Sequence, residues 1–160
     1  MKLLQENYSN IILEVYKDKH IGMAALSAKA AKRMREVTGF VNACTIHRLL
    51  GHDYDTNGFE YNKNRKLSAN SLFVIDESSM IDVCLFNALL EAIPEDSMVF
   101  IMGDKNQLPS VECGAVFGDL LKKGSLKENI VELDESIRFR KGTKIFELAS
   151  AINTGSNISV

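Results

Sequence analysis

The fold is decided by one stretch of the sequence, Leu72-Phe73-Val74-Ile75-Asp76-Glu77-Ser78-Ser79-Met80. Its first four residues are apolar and favour a buried strand, which two adjacent carboxylates then end. A second apolar run covers 98–102 and stops at Gly103. Strands as apolar as these are typical of a parallel sheet with helices on both faces. Ligands of such sheets bind at the carboxyl ends of the strands, so the residues that follow each strand are the candidates for function.

Outside these two strands, strand and helix signals alternate along the chain. Ser27 is a typical N-cap for a helix that runs to Val37, and Gly39 stands where a C-cap is expected. The polar segment 52–70, with a turn at Asn57-Gly58, is expected to be an insertion. The other expected elements are strands at 22–26 and 130–133, helices at about 9–19, 46–50 (capped by Thr45), 115–123 and 144–154, and a helical stripe formed by Val83, Phe86, Leu89, Leu90 and Ile93.

Length and composition indicate one ordinary globular domain over residues 1–160. Hydrophobic residues make up 46% of the chain and charged residues 25%, and the net charge is −2. No apolar run approaches the roughly 18 residues of a membrane span, and a signal-peptide core is absent from the sequence. The three cysteines lie far apart, which excludes a disulfide framework and a cysteine metal knuckle. We therefore expect a cytoplasmic protein without membrane contact.

The charge distribution is uneven along the chain. Residues 1–66 contain 11 basic and 7 acidic side chains, whereas the remainder contains 8 basic and 14 acidic ones. Such an excess is typical of solvated helix faces and loops, but it also suits a surface that contacts a phosphate backbone. Charge alone leaves both interpretations open. The basic residues cluster at Lys29, Lys32, Arg33 and Arg35, and again at Lys63, Arg65 and Lys66.

Asp76 and Glu77 are the strongest candidates for chemistry. Two carboxylates at the end of a buried strand are costly unless a cation or hydrogen-bond donors meet them. In a metal site, one carboxylate would bind Mg²⁺ while the other polarises an attacking water. In the alternative interpretation, both carboxylates only cap the helix that follows. The pair by itself does not decide between the two.

Two further polar side chains are expected at the same edge of the sheet. Gln107 follows the strand at 98–102, and Arg138 follows the strand expected at 130–133. Taken singly, Gln107 is typical of an ordinary loop, and an arginine such as Arg138 is typical of a salt bridge. Together with the acid pair they are the parts of a nucleoside triphosphate site, because phosphoryl transfer depends on positioning and charge neutralisation.

Five segments, in order and spacing, resemble the motifs of RecD-type superfamily 1 DNA helicases. The similarity extends from about residue 11 to residue 155. The segment Val74 to Asp82 is similar to the Walker B motif of that family. The other four are Ala24-Ala25 with Lys29 to Met34 (motif Ia), Thr45 to Leu50 (the threonine-histidine motif), Gly103 to Val111 (motif III) and Ser136 to Phe139 (motif IV).

The resemblance implies a fold and an activity. The fold would be that of a RecA-like P-loop NTPase, a three-layer α/β sandwich with a mostly parallel sheet. The activity would be that of the first motor domain of an ATP-dependent helicase that moves 5′ to 3′ along single-stranded DNA, in recombination or repair. The partners would be single-stranded DNA and either the rest of the helicase or RecBC-like subunits.

The resemblance also implies roles for individual residues. Asp76 would bind Mg²⁺, and Glu77 would be the general base that orients the hydrolytic water. Gln107 would sense the γ-phosphate, and Arg138 would neutralise charge on the transferring phosphoryl group. These four side chains would together contact the bound ATP. The residues expected near DNA are Lys29, Lys32, Arg33, Thr45 and His47.

The sequence departs from the family at the P-loop. No Gly-Lys dipeptide occurs in the chain, whereas the family needs that lysine and its neighbouring amides to hold the phosphates. Leu26-Ser27-Ala28 also replaces the proline-threonine-glycine turn of motif Ia. We therefore expect a domain truncated at its amino terminus, without the P-loop strand and without the second motor domain. Such a chain alone is expected to bind neither ATP nor Mg²⁺, to be inactive and to bind DNA weakly.

Two interpretations of the function remain open at this point. The chain is either a fragment of a RecD-like helicase, or a stand-alone degenerate domain that binds DNA or a protein partner without catalysis. A third possibility, an unrelated Mg²⁺-dependent hydrolase, leaves the other four motifs unexplained. The branch of the family, whether RecBCD subunit, free-standing helicase or relaxase-helicase, is not determined by the sequence.

The missing P-loop strand would leave a gap in the sheet beside residues 98–102. Unpaired backbone groups at such an edge are unfavourable, because each one that is buried costs about 1–3 kcal/mol. We therefore expect the gap to be closed by residues 130–133, by the N-terminal segment or by a second copy of the chain.

Overall fold

The architecture is that of a parallel sheet between two helical layers, seen in a computed structural model that describes residues 19–104, 116–122 and 124–132. Four strands of the described part form this sheet in the order β2-β1-β5-β6, and all neighbours are parallel. The strands are β1 (His20–Ala25), β2 (Cys44–Thr45), β3 (His52–Asp53), β4 (Gly58–Phe59), β5 (Ser71–Asp76) and β6 (Met98–Ile101), and the helices are α1 (Ala28–Thr38), α2 (Ile46–Leu49), α3 (Val83–Ala92) and α4 (Val116–Lys122).

Strand β5 is buried on both faces, as its continuous apolar sequence predicts. Leu72 and Val74 pack on one side, in a cluster with Ala30, Ala31 and Met34 of α1. The alternating residues Phe73 and Ile75 face the opposite side and pack against α2 and α3, where the buried partners include Ile46, Leu50, Leu85, Phe86 and Leu89. Because residues of a strand alternate between its two faces, this one strand joins both cores. The three-layer α/β sandwich predicted from the sequence is therefore confirmed.

Local signals placed the helix ends correctly. The Ser27 hydroxyl accepts a hydrogen bond from the Ala30 N–H at 3.1 Å, which caps the start of α1. Gly39 ends this helix with a positive φ of 72°, a conformation that costs glycine little. Thr45 caps α2 through a bond from the Arg48 N–H at 3.2 Å. Both N-caps and the glycine C-cap were predicted from residue type alone.

The stripe predicted for α3 was partly wrong. Phe86, Leu89 and Ile93 are buried as expected, but Val83 is 44% and Leu90 48% exposed. Leu85 and Ala92 take their places in the core. Asp82 caps the helix by accepting bonds from the N–H groups of its first turn at 2.8 and 2.9 Å. The cap fixes where α3 begins, and the packing on the sheet then decides which face of it is buried.

Residues 130–132 do not form the predicted strand. The 3₁₀ helix Gly124–Asn129 continues directly into them, and the Ile130 N–H donates to the carbonyl of Lys127. Val131 is 83% exposed, so its side chain has no place in a buried sheet. The expectation that this segment lies beside β6 is therefore wrong for 130–132. The expected closure by the N-terminal segment concerns residues outside the described part. The expected helix at 144–154 lies outside it as well, and so does the helix at 9–19 except for Lys19, which forms a bend.

The segment 52–70 begins with a small antiparallel hairpin. His52 pairs with Phe59 and Asp53 with Gly58. Asn57 adopts a positive φ of 52° in the connecting turn, as the Asn57-Gly58 pair predicts. The boundaries 52–70 for an insertion stay a prediction.

No helix in the described ranges is long and apolar enough to cross a membrane.

Candidate functional site

The carboxyl edge of the sheet gathers the ends of three strands. The register places Ala25, the last residue of β1, between Thr45 of β2 and Asp76 of β5. Residues that follow these strands therefore emerge side by side. Ser27 and Glu77 are such a pair, although 50 positions separate them in the sequence.

The acid pair at the end of β5 has an unusual local geometry. Glu77 adopts the left-handed conformation, with φ 57° and ψ 31°, which is uncommon for a residue with a side chain. Its N–H donates to Asp76 Oδ1 at 2.8 Å. Neither carboxylate caps α3, because Asp82 does so, and Glu77 makes no cap bond to the 3₁₀ helix Ser78–Met80. The capping role considered for the pair is therefore taken by another residue.

The Glu77 carboxylate is held by a serine from the neighbouring strand end. The Ser27 hydroxyl donates to Glu77 Oε2 at 2.8 Å while it accepts the capping bond from the Ala30 N–H. The sequence around Ser27 predicts only a helix-capping role for it. The signal that could have revealed it is its position, because it follows a buried strand at the same edge as Asp76.

Asp76 lies in a partly desolvated environment. Burial raises the pKa of its carboxyl above the usual range, and the negative charge of Glu77 raises it further. The hydrogen bond from the Glu77 N–H and the positive charge of Arg33 act in the opposite direction, but burial is the largest effect. A carboxylate in this position gains from a nearby cation. Arg33 lies on α1 and is one of the residues predicted to contact DNA.

The donor set suits Mg²⁺ bound together with phosphate. Within the residues that the structure describes, no cluster of three or more histidine, cysteine or acidic side chains could hold a metal by itself. Mg²⁺ is usually bound by one or two carboxylates, with water and substrate phosphates completing its shell. The desolvated carboxylate of Asp76 therefore fits Mg²⁺ that arrives with a nucleotide.

The loops after β5 and β6 are fastened to each other. The Met102 N–H donates to the Ile75 carbonyl at 2.8 Å, and the Ser78 N–H donates to the Met102 carbonyl at 2.9 Å. Gly103 lies so close to this loop that a Cβ atom there would be 2.9 Å from the Ser79 nitrogen and 2.9 Å from the ring of Phe117. The segment that leads from β6 to Gln107 therefore begins next to Asp76 and Glu77. Gln107 and Arg138 themselves lie outside the described residues.

The residues predicted to contact DNA lie on three consecutive elements, α1, β2 and α2. Lys29, Lys32 and Arg33 are exposed on α1, and the Lys32 side chain approaches Glu36 at 3.9 Å. A pair this exposed contributes little and leaves the lysine accessible. Thr45 stands at the end of β2, where its hydroxyl accepts the capping bond of α2.

His47 belongs to a group of rings that the sequence patterns did not predict. Its ring centroid lies 5.5 Å from that of His52 and 6.1 Å from that of Phe59. Tyr54 stacks edge-on against His52 at 4.8 Å and is 88% exposed. The hairpin thus brings its rings next to α2. The signal for this group was the density of aromatic residues and histidines between 47 and 61.

Comparisons with known proteins agree with this geometry. The family model described as an AAA domain matches residues 3–113. The chain is 38% identical over 152 residues to the RecBCD enzyme subunit RecD of Mycolicibacterium smegmatis, in a match that covers 84% of this chain and 26% of that protein. It is 42% identical over 94 residues to the ATP-dependent RecD2 DNA helicase of Deinococcus radiodurans, which covers 59% of this chain and 13% of that one.

A solved structure supports the fold. The Pif1 protein of Bacteroides sp, crystallised in complex with ADP-AlF4, aligns with a TM-score of 0.54 at 20% identity. The alignment covers 97% of this chain and 41% of that one, and it shows a RecA-like arrangement of sheet and helices. The chain spans about a quarter of the length of the mycobacterial RecD proteins that it matches. The chain belongs to the AAA domain family and corresponds to a part of the RecD-type superfamily 1 helicases.

Proposed function

We propose that this chain supplies part of the first motor domain of an ATP-dependent DNA helicase that moves 5′ to 3′ on single strands. The observation that carries the proposal is the Asp76–Glu77 pair at the carboxyl end of β5, an interior strand of the parallel sheet. Nucleotide sites of open parallel sheets lie at this edge. Similarity to RecD proteins and to a helicase named RecD2 supports the choice of DNA as the substrate.

Each residue at the site has a proposed role. Asp76 holds Mg²⁺, and Glu77 accepts a proton from the attacking water. When bound with ATP, Mg²⁺ neutralises charge on the phosphate oxygens. Gln107 contacts the γ-phosphate and Arg138 neutralises the transferring phosphoryl group. The roles of Gln107 and Arg138 rest on their sequence motifs.

The proposed DNA face adjoins the ATP site. Lys29, Lys32 and Arg33 present positive charge along α1. Thr45 ends strand β2, and His47 lies in helix α2 directly after it. Single-stranded DNA bound there would be held mostly through its phosphates, so its affinity should fall as salt rises. The partners that we propose are this DNA, the rest of the motor and RecBC-like subunits.

The isolated chain is proposed to be inactive. Because it contains no Gly-Lys dipeptide, the lysine that neutralises the β- and γ-phosphates must come from elsewhere. A phosphate-release assay with Mg-ATP and single-stranded DNA should give no turnover. Turnover that Glu77→Gln abolishes would contradict this.

A chimera tests the function directly. The matched stretch of Deinococcus radiodurans RecD2 is replaced by the corresponding stretch of this chain, and ATP-dependent unwinding is measured. We expect unwinding in the chimera, its loss with Glu77→Gln, and no loss with Glu91→Gln, which removes an exposed carboxylate of α3. A folded chimera that neither hydrolyses ATP nor unwinds DNA would refute the proposal.

The lack of a Gly-Lys dipeptide favours a second candidate, a domain that binds DNA or a protein without catalysis. The same chimera separates the two functions. A chimera that binds single-stranded DNA like its parent but does not hydrolyse ATP would support the second candidate.

A further inference from the structure

Ser27 makes two hydrogen bonds that connect different parts of the proposed site. Its oxygen accepts from the Ala30 N–H at 3.1 Å, which ties the serine to the first turn of α1. Its proton goes to Glu77 Oε2 at 2.8 Å. A hydroxyl can donate one bond while accepting others, so the two contacts are compatible. One side chain thus contacts both the helix and the carboxylate.

The backbone at both residues favours this contact. Ala25 is aligned with Asp76 in the parallel register, so the residues just beyond them are neighbours. Glu77 is held in its left-handed conformation with its N–H on Asp76 Oδ1. Strained backbone of this kind persists only where the surroundings fix it. Ser27 is therefore one of the contacts that define where the Glu77 carboxylate lies.

We infer that Ser27 is a positioning residue for Glu77 and that it makes the orientation of this carboxylate depend on the position of helix α1. The inference rests on the proposed function, in which Glu77 is the general base and α1 contacts DNA. It adds a physical connection between the two, through a residue that had only a capping role in the sequence analysis.

The connection follows from where Ser27 stands. It is the N-cap of α1, so a shift of the first helical turn moves its hydroxyl as well. The exposed face of the same helix carries Lys29, Lys32 and Arg33. DNA phosphates that attract these cations would shift helix α1. Because the N-cap of this helix, Ser27, is hydrogen-bonded to Glu77, the shift would reach the Glu77 carboxylate. Arg33 also acts on the acid pair from a distance, through its charge on Asp76.

Three variants separate the capping bond from the bond to Glu77. Ser27→Thr keeps both, and Ser27→Ala removes both. Ser27→Asp keeps an acceptor for the Ala30 N–H, because aspartate is a good N-cap, but it has no proton for Glu77. Ser27→Asp is thus the matched control for helix stability. Amide spectra of all three variants would show that α1 is intact.

The first measurement is carbon NMR of the full chain labelled at the glutamate carboxyl carbon, with the Glu77 signal assigned through Glu77→Gln. We expect the Glu77 carboxyl signal of the unmodified chain to be reproduced by Ser27→Thr. In Ser27→Ala it should move to a position typical of a solvated side chain. In Ser27→Asp it should also leave its original position, because the new carboxylate repels that of Glu77. An identical Glu77 signal in all four proteins would overturn the positioning role.

The second measurement adds an oligothymidine strand to the same samples. We expect the strand to shift the amide signals of α1 in every protein, but to shift the Glu77 carboxyl only where residue 27 is serine or threonine. An equal Glu77 response in Ser27→Asp would overturn the dependence on α1. A strand that leaves the α1 amides unchanged in the unmodified chain would overturn both that dependence and the proposed DNA face, while the first measurement still decides the positioning role.

Discussion

The two ends of strand β5 are both polar, but they are built differently. At the amino end, Ser71 is fully buried, its hydroxyl donates to the Ser68 carbonyl at 2.7 Å, and its N–H donates to Ser97 Oγ at 3.2 Å. At the carboxyl end, Asp76 is a desolvated acid, and Glu77 has a left-handed backbone. The Ser79 hydroxyl there is buried without a hydrogen-bond partner in the described part of the chain.

This difference separates stability from function within one strand. At the amino end, the N–H and the hydroxyl of Ser71 are both hydrogen-bonded within the protein, so this end stabilises the folded state. The carboxyl end keeps unfavourable features that a ligand could relieve, which is typical of functional sites. The apolar middle, from Leu72 to Ile75, must then supply the stability that holds the carboxyl end in place.

The largest expected effect comes from the apolar middle. Phe73 is 1% exposed and packs in the core on the α2 and α3 side, so Phe73→Ala should destabilise the fold by about 3–5 kcal/mol. Thermal or urea unfolding measures this loss. Leu90→Ala is the control, because Leu90 is 48% exposed and should change stability far less. Similar losses for both variants would show that the middle of β5 is not the main support.

The next effect concerns the loop that faces the acid pair. Gly103→Ala places a Cβ atom 2.9 Å from the Ser79 nitrogen and against the Phe117 ring, so one of these groups must move. Overpacking of this kind costs about 1–3 kcal/mol. Gly118→Ala serves as the control, because in the described part of the chain no atom outside its own helix backbone and chain neighbours lies within 4 Å of the added carbon. An unchanged unfolding midpoint for Gly103→Ala would mean that the loops are not packed as described.

A matched pair of serines tests the two ends of β5 against each other. Ser71→Ala removes the hydroxyl that donates to the Ser68 carbonyl and should lower the free energy of unfolding by about 1–2 kcal/mol. Ser79→Ala removes a buried hydroxyl that lacks a partner in the described residues, so stability should change by no more than about 0.5 kcal/mol or should rise. Urea unfolding of both variants gives the comparison. A larger loss of stability for Ser79→Ala than for Ser71→Ala would contradict the stabilising role of the amino end.

The smallest effect concerns the charge of Asp76 and depends on pH. Because its pKa is raised in the folded protein, the ionised carboxylate destabilises the fold at neutral pH, and protonation relieves this as pH falls. Asp76→Asn can keep the bond from the Glu77 N–H and should raise stability at pH 7 by about 0.5–1 kcal/mol.

Thermal unfolding between pH 7 and about pH 4, near the ordinary pKa of an aspartate, checks the sign of this effect. The advantage of Asp76→Asn should shrink as the pH falls. Glu91→Gln, at an exposed position, should show little advantage at either pH. An advantage of Asp76→Asn that grows on acidification would contradict the raised pKa.

The sequence by itself determined the features that depend on neighbouring residues. The apolar run before Asp76 predicted a strand buried on both faces, because no polar residue alternates with the apolar ones. Ser27, Thr45 and Gly39 predicted helix ends, since each cap bonds within three or four residues. Asn57 predicted the hairpin turn for the same local reason.

Only the tertiary structure decided which distant residues meet. Sequence spacing alone placed Val83 in the core, but packing of α3 on the sheet buried Leu85 instead. Residues 130–132 have a strand-like sequence, yet they continue from a 3₁₀ helix, and Val131 and Glu132 stay exposed. The bond between Ser27 and Glu77 spans 50 positions and depends on the register of β1 against β5. Local patterns fix the elements, whereas contacts between elements depend on how the whole sheet pairs and which faces its helices bury.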